Sequence, residues 1–374
     1  MKVLVILGTR PEVIKLAPVI SELRGRTDTI ICSTGQHREL AKQAMEAFSV
    51  HPDISLDAMS PGNSLNILSS KILESIDSVL QKVNPDWIIV QGDTTTAFCA
   101  GLAGFHRQFR VAHVEAGLRT GSLAHPFPEE ANRSLLARIA SRHFAPTQFA
   151  RKNLLAEGIN DDLIYVTGNT IVDTITSVKS SWKETNLHLP DTIRPFIKDA
   201  PIVLVTCHRR ENFGEVLQGI CKMLRRLCIR YANYTWIFPL HLNPAVRHPV
   251  MNSLTDIPNL FLTDPLDYHS TLYLIERSVL IISDSGGIQE EAPSFGVPVV
   301  IMRSCTERME GVSAGFATLA GQDPSDIEKA AVEWLESPSL RLDLKNRPNP
   351  YGDGMASKRI VSNLMGEPIL PFHG

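Results

Sequence analysis

Three carboxylates in the first half of this 374-residue sequence follow, or stand close to, short apolar runs. Asp93 lies in QGDTTT, Glu115 in HVEAGLR and Glu129 in PFPEEANR. Each of them alone could simply cap a helix, because acidic side chains favour the first helical turn. Because the three carboxylates lie next to neighbouring structural elements in the same half of the chain, they predict a cluster that can accept and return protons.

The first apolar run is followed by residues that could bind an anion. The segment GTRPE occupies positions 8–12 and supplies Arg10, and Lys15 lies one helical turn further on. An ordinary strand-to-helix turn with an exposed arginine is the alternative interpretation. The segment lacks the G-x-G-x-x-G pattern, so a dinucleotide cofactor is not indicated.

The second half of the chain contains the strongest phosphate-binding pattern. Glycines at a helix start let backbone N–H groups approach a phosphate closely, and the helix dipole assists. Such a start is predicted at Ser285-Gly286-Gly287, and Glu291 is spaced to accept hydrogen bonds from ribose hydroxyls. His208 and Arg209 at the end of another apolar run, and Arg308 on the same rim, add anion contacts.

These residues must be positioned by alternating strands and helices. Apolar positions between 65 and 83 recur at three- and four-residue spacing, which predicts a helix. Buried strands are predicted at 3–7, 29–33, 87–91, 111–114, 164–167, 202–206, 234–240, 260–263, 279–283 and 297–302. This alternation predicts two parallel, doubly wound, Rossmann-like domains of the GT-B architecture, with ligands at the carboxyl ends of the strands and the active site in the cleft between the domains.

The domain boundary is expected near a polar stretch at 178–200 that has two prolines and no clean periodicity. We expect an N-terminal domain at 1–170, joined by a C-terminal helix at about 355–374, and a second domain at 171–354. The first should carry the carboxylates and the second the nucleotide.

Composition excludes several classes of protein. The formal net charge is −3, so nothing indicates a nucleic acid or an anionic membrane as a partner. No stretch reaches the ~18 apolar residues of a membrane helix, and the start does not read as a signal peptide. The six cysteines form no C-x-x-C pair, which indicates neither a zinc ribbon nor a disulfide framework and favours a cytoplasmic protein.

At this point the ordered motifs resemble those of a known family. The segments GTRPE, QGDTTT, HVEAGLRTG, PFPEEANR, CHRREN, HLNP, DSGGIQEEAP and NPYGDG follow one another over almost the whole chain. The chain resembles the non-hydrolysing UDP-N-acetylglucosamine 2-epimerases. That resemblance implies a GT-B fold, a homodimer, a UDP-N-acetylhexosamine substrate, no metal and no cofactor.

The resemblance also implies roles for particular residues. The implied catalytic residues are Asp93, Glu115, Glu129 and His208. The implied UDP-binding residues are Arg10, Lys15, His208, Ser285, Gly286, Gly287, Glu291 and Arg308. A second, activating UDP-sugar would involve Gln36, Arg209 and His241, although Glu39 and Gly62 depart from that pattern. Further departures are found at Cys207, Thr271, Ser304, Cys305 and Met309.

The implied reaction interconverts UDP-GlcNAc and UDP-ManNAc and supplies ManNAc-type sugars for bacterial surface polysaccharides. UDP would be eliminated to give 2-acetamidoglucal and then added again. The alternatives are an epimerase for a related UDP-2-acetamido sugar, a hydrolysing epimerase that releases free sugar, a GT-B glycosyltransferase and a non-catalytic UDP-sugar sensor. A transferase would need an acceptor groove, and a sensor should lack at least one of the three carboxylates.

Overall fold

Parallel strands form the centre of each half of the chain. The computed structural model describes residues 1–36, 38–58, 62, 64–180, 187–197 and 200–373. The chain divides into two units. Unit 1 consists of Met1–Ser177 and Tyr351–Gly374, and unit 2 of Val178–Pro350. The first boundary, after Ser177, lies later than the expected residue 170, and the second, after Pro350, lies earlier than the expected residue 354. Part of the expected linker falls outside the described residues.

Unit 1 contains a sheet of seven parallel strands among its described residues. The strands are β1 (Lys2–Leu7), β2 (Asp28–Ser33), β3 (Ile54–Ser55), β4 (Trp87–Gln91), β5 (Arg110–Val114), β6 (Arg142–Ala145) and β7 (Ile164–Val166). The helices are α1 (Arg10–Leu23), α2 (Arg38–Ala47), α3 (Leu65–Val83), α4 (Thr95–His106), α5 (Glu129–Ile139), α6 (Gln148–Ala156), α7 (Thr170–Ser180, which runs past the division) and, after unit 2, α15 (Ala356–Leu364). The order β3-β2-β1-β4-β5-β6-β7 reverses direction between β1 and β4.

Unit 2 has a sheet of six parallel strands within its described part. The strands are β8 (Ile202–Thr206), β9 (Thr235–Pro239), β10 (Leu260–Thr263), β11 (Ser278–Ser283), β12 (Val299–Ile301) and β13 (Ala317–Leu319). The helices are α8 (Glu215–Arg230), α9 (Pro244–Leu254), α10 (Tyr268–Arg277), α11 (Gly286–Glu291), α12 (Met309–Ser313), α13 (Pro324–Glu336) and α14 (Pro338–Leu344). The order β10-β9-β8-β11-β12-β13 reverses direction between β8 and β11.

In both sheets, the expected ligand-binding crevice lies where the strand order reverses. Loops leave the two neighbouring strands in opposite directions at such a point and open a crevice at the carboxyl ends. In unit 1 the crevice lies between the loops after β1 and β4, and in unit 2 between those after β8 and β11. These are the loops that contain GTRPE, QGDTTT, CHRREN and DSGG.

The apolar patterns explain why these elements form. Strands such as β1 and β4 are buried along almost their whole length, as expected for parallel strands covered on both faces. In α3, Leu68, Ile72, Ile76 and Val79 are buried at the predicted three- and four-residue spacing. The predicted helix near the end of the chain is α15, but β3, β6 and β13 were not predicted. No helix in the described ranges is long and apolar enough to cross a membrane.

Candidate functional site

Glu12 joins the loops on the two sides of the crevice in unit 1. Its carboxylate accepts hydrogen bonds from the N–H groups of Gly8 at 2.8 Å and Thr9 at 2.7 Å, and from the hydroxyl of Thr94 at 2.6 Å. Burial raises the pKa of Glu12, and these hydrogen bonds oppose the rise. The buried carboxyl thus holds the loop after β1 against the residue that follows Asp93.

Asp93 is connected to the helix that carries Glu129. The side-chain amide of Asn132, in α5, donates to the carbonyl of Asp93 at 2.9 Å, and the Arg133 guanidinium lies 3.4 Å from the Asp93 carboxylate. Arg133 is itself fixed by buried Glu130 at 2.7 Å. The first turn of α5, where Glu129 is the first residue, is therefore attached to the Asp93 loop.

Glu115 lies after the strand next to Asp93's strand and forms a buried ion pair with Lys15. Gln91 and Val114, the last residues of β4 and β5, are register partners, so Asp93 and Glu115 emerge from adjacent strand ends. The Lys15 and Glu115 side chains are each only 7% exposed. The amide of Asn169 lies 3.4 Å from the same carboxylate. Lys15, predicted to bind the nucleotide, here contacts a carboxylate of the predicted catalytic set.

His113 fixes the backbone just before Asp93. Its Nε2 lies 2.7 Å from the carbonyl of Gly92, whose φ of +71° is readily adopted only by glycine. Burial, followed by the proximity of His143, lowers the pKa of His113 to about 3. The imidazole is therefore neutral at physiological pH, and its N–H donates to Gly92 without bringing a charge next to Asp93.

The chain segment that follows unit 2 contacts the residues around the start of α7, next to Asn169. Asn169 donates its backbone N–H to the carbonyl of Tyr351 at 2.7 Å. Asp173 accepts from the N–H groups of Ala356 at 3.1 Å and Ser357 at 2.8 Å, at the start of α15. These contacts attach the NPYGDG segment and the start of α15 to α7 and the residue that precedes it.

In unit 2, Asp284 organises the loop that follows β8. Its carboxylate accepts from the N–H groups of His208 at 3.0 Å and Arg209 at 2.9 Å, and from the amide of Asn212 at 3.0 Å. The Nδ1 atom of His208 lies 3.1 Å from Asp284 Oδ1. The two predicted anion-binding loops, after β8 and β11, are thus joined by one carboxylate.

The glycine turn after β11 lies against Arg308. Ser285 is the residue before α11, and Gly286 begins that helix. A Cβ atom on Gly286 would lie 2.8 Å from Nη1 and 2.9 Å from Cζ of Arg308. Arg308 is fixed by Glu290 at 2.7 Å and by an ion pair with Glu307. A guanidinium therefore occupies the position beside this turn that an anion-binding role requires.

The predicted activator residues have contacts within their own units. Gln36 accepts from the N–H and hydroxyl groups of Thr96 at 3.2 Å and 2.8 Å. In unit 2, the His241 ring stacks near that of His208, with centroids 6.3 Å apart. Burial, and then the charge of His208, lower the pKa of His241. The side chain of Glu39 lies outside the described part of the chain.

Several residues that shape the site were not identified from the sequence. Glu12, Arg133 and Asp284 lie inside quoted motifs but received no role, and the position of each within its motif was the only available signal. Asn169 and Asn212 became relevant only through their contacts. Among the described residues, no group of three or more His, Cys, Asp and Glu side chains could hold a metal ion.

Comparison with known proteins identifies the family. The sequence model described as UDP-N-acetylglucosamine 2-epimerase matches residues 21–365. A UDP-N-acetylglucosamine 2-epimerase of Neisseria meningitidis serogroup A is 43% identical, covering 98% of this chain and 99% of the relative.

Solved structures agree over the same length. The N. meningitidis UDP-GlcNAc 2-epimerase bound to UDP-GlcNAc has a TM-score of 0.91 and 41% identity, covering 98% of this chain and 100% of the other. The S. aureus MnaA–UDP co-structure has a TM-score of 0.90 and 37% identity, covering 100% and 99%. The predicted GT-B fold class with two Rossmann-like domains is confirmed. The chain belongs to the UDP-N-acetylglucosamine 2-epimerase family and is therefore an isomerase.

Proposed function

We propose that this chain interconverts UDP-GlcNAc and UDP-ManNAc without releasing free sugar. The observation that carries the proposal is the network at the carboxyl edge of the unit 1 sheet. There Asp93 and Glu115 follow adjacent strands, and Glu129 begins a helix attached to the Asp93 loop. Proton transfer at a carbon atom needs carboxylates fixed in this way on rigid elements.

The chemistry proceeds by elimination and addition. A base takes the proton from C2 while the C1–O bond breaks and UDP leaves with the electron pair, giving 2-acetamidoglucal. UDP then adds again to C1, and a proton is delivered to the opposite face of C2. Breakage of the C1–O bond runs ahead of proton transfer, and the positive charge that develops on the sugar makes the C2 proton removable. The three carboxylates exchange the proton, and the balance of the reaction needs no redox cofactor.

The nucleotide would be held by the residues that resemble the family's binding set. The diphosphate is assigned to the start of α11, because N–H groups at a helix start and nearby guanidinium groups stabilise a departing anion. Glu291 is assigned to the ribose. The full proposed set is Arg10, Lys15, His208, Ser285, Gly286, Gly287, Glu291 and Arg308. The Lys15–Glu115 pair gives Lys15 a second role, which is to orient that carboxylate.

The proposal is tested by incubating the purified chain with UDP-GlcNAc alone in heavy water. We expect UDP-ManNAc with deuterium at C2, because the proton exchanges with a carboxylate and solvent. Free N-acetylmannosamine would instead identify a hydrolysing epimerase. Retention of protium at C2 would contradict elimination and indicate hydride transfer.

Substitutions then separate chemistry from binding. Asp93→Asn, Glu115→Gln and Glu129→Gln should each lower kcat by ~10²–10⁴-fold, the usual contribution of general acid–base catalysis. UDP affinity should remain close to that of the parent. Asp77→Asn, at an exposed aspartate paired with Arg107, is the matched control and should keep full turnover. Unchanged turnover in all three carboxylate variants would contradict the assignment.

We further propose where the enzyme is located, its oligomeric state and its activation. A UDP-sugar substrate and the family's supply of ManNAc-type sugars for surface polysaccharides support a cytoplasmic enzyme. A homodimer is proposed on the family resemblance, and light scattering of the purified chain tests it. Activation by UDP-GlcNAc through Gln36, Arg209 and His241 would give a sigmoidal rate curve that Gln36→Ala makes hyperbolic.

A further inference from the structure

Asp284 is a fully buried carboxylate that the proposed mechanism does not use. It follows β11 directly and accepts three hydrogen bonds from the loop after β8. Its Oδ1 lies 3.1 Å from Nδ1 of His208, so it contacts both the backbone and the ring of that histidine. A buried carboxylate is costly unless it is hydrogen-bonded, and here the donors are supplied by the loop that carries His208.

The charge of Asp284 is maintained by its partners. Burial is the largest influence and would raise the pKa of Asp284. The contacts with His208, Arg209 and Asn212 outweigh burial and lower that pKa to about 2. The carboxylate is therefore ionised at physiological pH, and it can only accept hydrogen bonds.

An ionised carboxylate at Nδ1 determines which ring nitrogen of His208 exchanges protons. Nδ1 keeps its proton, directed at Asp284, in both the neutral and the cationic ring. Nε2 on the other edge of the imidazole is then the nitrogen that gains and loses a proton. The His208 side chain is 39% exposed, so a ligand can reach the ring.

We propose that Asp284 is a positioning residue that holds His208 with Nε2 as its proton-exchanging atom toward the diphosphate of the substrate. This inference rests on the proposed function. As the C1–O bond breaks, the electron pair goes to the UDP oxygen, and Nε2–H of the cationic ring transfers its proton to the diphosphate. When UDP adds again, the same proton returns to Nε2, so the ring ends the cycle as it began.

Asp284→Asn is the sharpest substitution, because it removes the charge while keeping the shape. The amide oxygen can still accept from the His208 and Arg209 backbone, while the NH2 group faces Nδ1. The neutral ring should then carry its proton on Nε2, which leaves it unable to exchange protons at that atom. We expect kcat to fall by ~10²–10⁴-fold with KM changed much less, because the loss is one of acid–base catalysis.

The tautomer is measured directly by ¹⁵N NMR of histidine-labelled protein, with the His208 signals assigned by comparison with His208→Gln. In the parent, once the ring has titrated to its neutral form, Nδ1 should be protonated and Nε2 not. In Asp284→Asn the two should be exchanged. A parent ring protonated on Nε2 in its neutral form would overturn the inference. This readout comes from the parent protein, and His208→Gln has to fold only so that the His208 signals can be assigned.

A double-mutant cycle separates positioning from mere support of the fold. In a His208→Ala background, Asp284→Asn should cause no further loss of kcat, because the residue through which it acts is gone. A further loss comparable to that in the parent background would overturn the positioning role. Asp256→Asn is the matched control, since this exposed aspartate pairs with Arg225 and should leave kcat unchanged. If the parent itself converts no UDP-GlcNAc, the proposed function fails, whereas the tautomer is still measured in the free protein.

Discussion

Replacing Gly286 with alanine places a methyl group against Arg308. The added Cβ would lie 2.8 Å from Nη1, so the guanidinium would have to move by about 0.6 Å to reach the 3.4 Å of ordinary contact. Glu290 holds the Nε atom of that guanidinium and Glu307 holds Nη1, so the group cannot move without disturbing one of these ion pairs or changing its direction. The variant therefore tests whether Arg308, in this orientation, binds the diphosphate.

The expected cost is that of one charge-assisted hydrogen bond. Such a bond contributes roughly 1.5–3 kcal/mol. The dissociation constant for UDP should therefore rise by about 10- to 150-fold, since each 1.4 kcal/mol is a factor of ten. Isothermal titration calorimetry of UDP with folded parent and variant gives this ratio directly.

Gly219→Ala is a suitable control because its Cβ would meet Pro324 at a similar 2.7 Å within unit 2. It should change the free energy of unfolding but not the affinity for UDP. If Gly286→Ala bound UDP within about twofold of the parent while remaining folded, the placement of the diphosphate beside Arg308 would be wrong.

Three further predictions concern buried charges. Lys15→Met should lower kcat far more than UDP affinity, because Lys15 pairs with the carboxylate of Glu115. A rise in the UDP dissociation constant with little change in kcat would show instead that Lys15 binds the nucleotide. Asp173→Ala should lower the free energy of unfolding in urea by about 1–3 kcal/mol, because it leaves the N–H groups at the start of α15 without their acceptor, and an unchanged urea midpoint would contradict this. The hydrogen bonds that Asp284 accepts hold its pKa in the folded protein at about 2, below the 3.8 of an exposed aspartate. Its ionised form therefore contributes about 2 kcal/mol to the free energy of unfolding above the unfolded pKa, and this contribution is lost as the pH falls through 2. The difference in unfolding free energy between the parent and Asp284→Asn should accordingly shrink as urea titrations are taken from about pH 5 toward pH 2, and a difference that is independent of pH would show that Asp284 is not ionised in the folded state.

The positions of the candidate site residues were accessible from the sequence because of one geometric rule. In parallel sheets, residues just after strands collect at the carboxyl edge, so Asp93, Glu115 and His208 could be placed there from the apolar runs that precede them. The glycine turn at Ser285 could be read in the same way. For these residues, the positions of the apolar runs were enough to predict where they lie in the sheet.

Other features could not be read because they depend on contacts between distant residues. Lys15 and Glu115 are 100 positions apart, and nothing in either motif indicates that their charges pair. The strand β6 was missed because it contains Arg142 and His143, although His143 is buried and its pKa is lowered to about 4 chiefly by burial. The strand β13 was missed because only the first of its three residues is buried, so it lacks a clear apolar run. Burial of polar side chains is a property of the packed sheet and is not visible along the chain.

The discontinuity of unit 1 determines the order in which the two units can be completed during synthesis. Unit 2 is one continuous segment, whereas unit 1 needs α15, which is translated only after Pro350. At ~5–20 residues per second, the chain waits on the order of ten seconds or more between the end of α7 and the arrival of α15. Until then the surface that Ile360, Val361 and Leu364 bury, and the Asp173 carboxylate, remain uncovered. Unit 1 is therefore the half of the nascent chain that is exposed longest to aggregation and to chaperones.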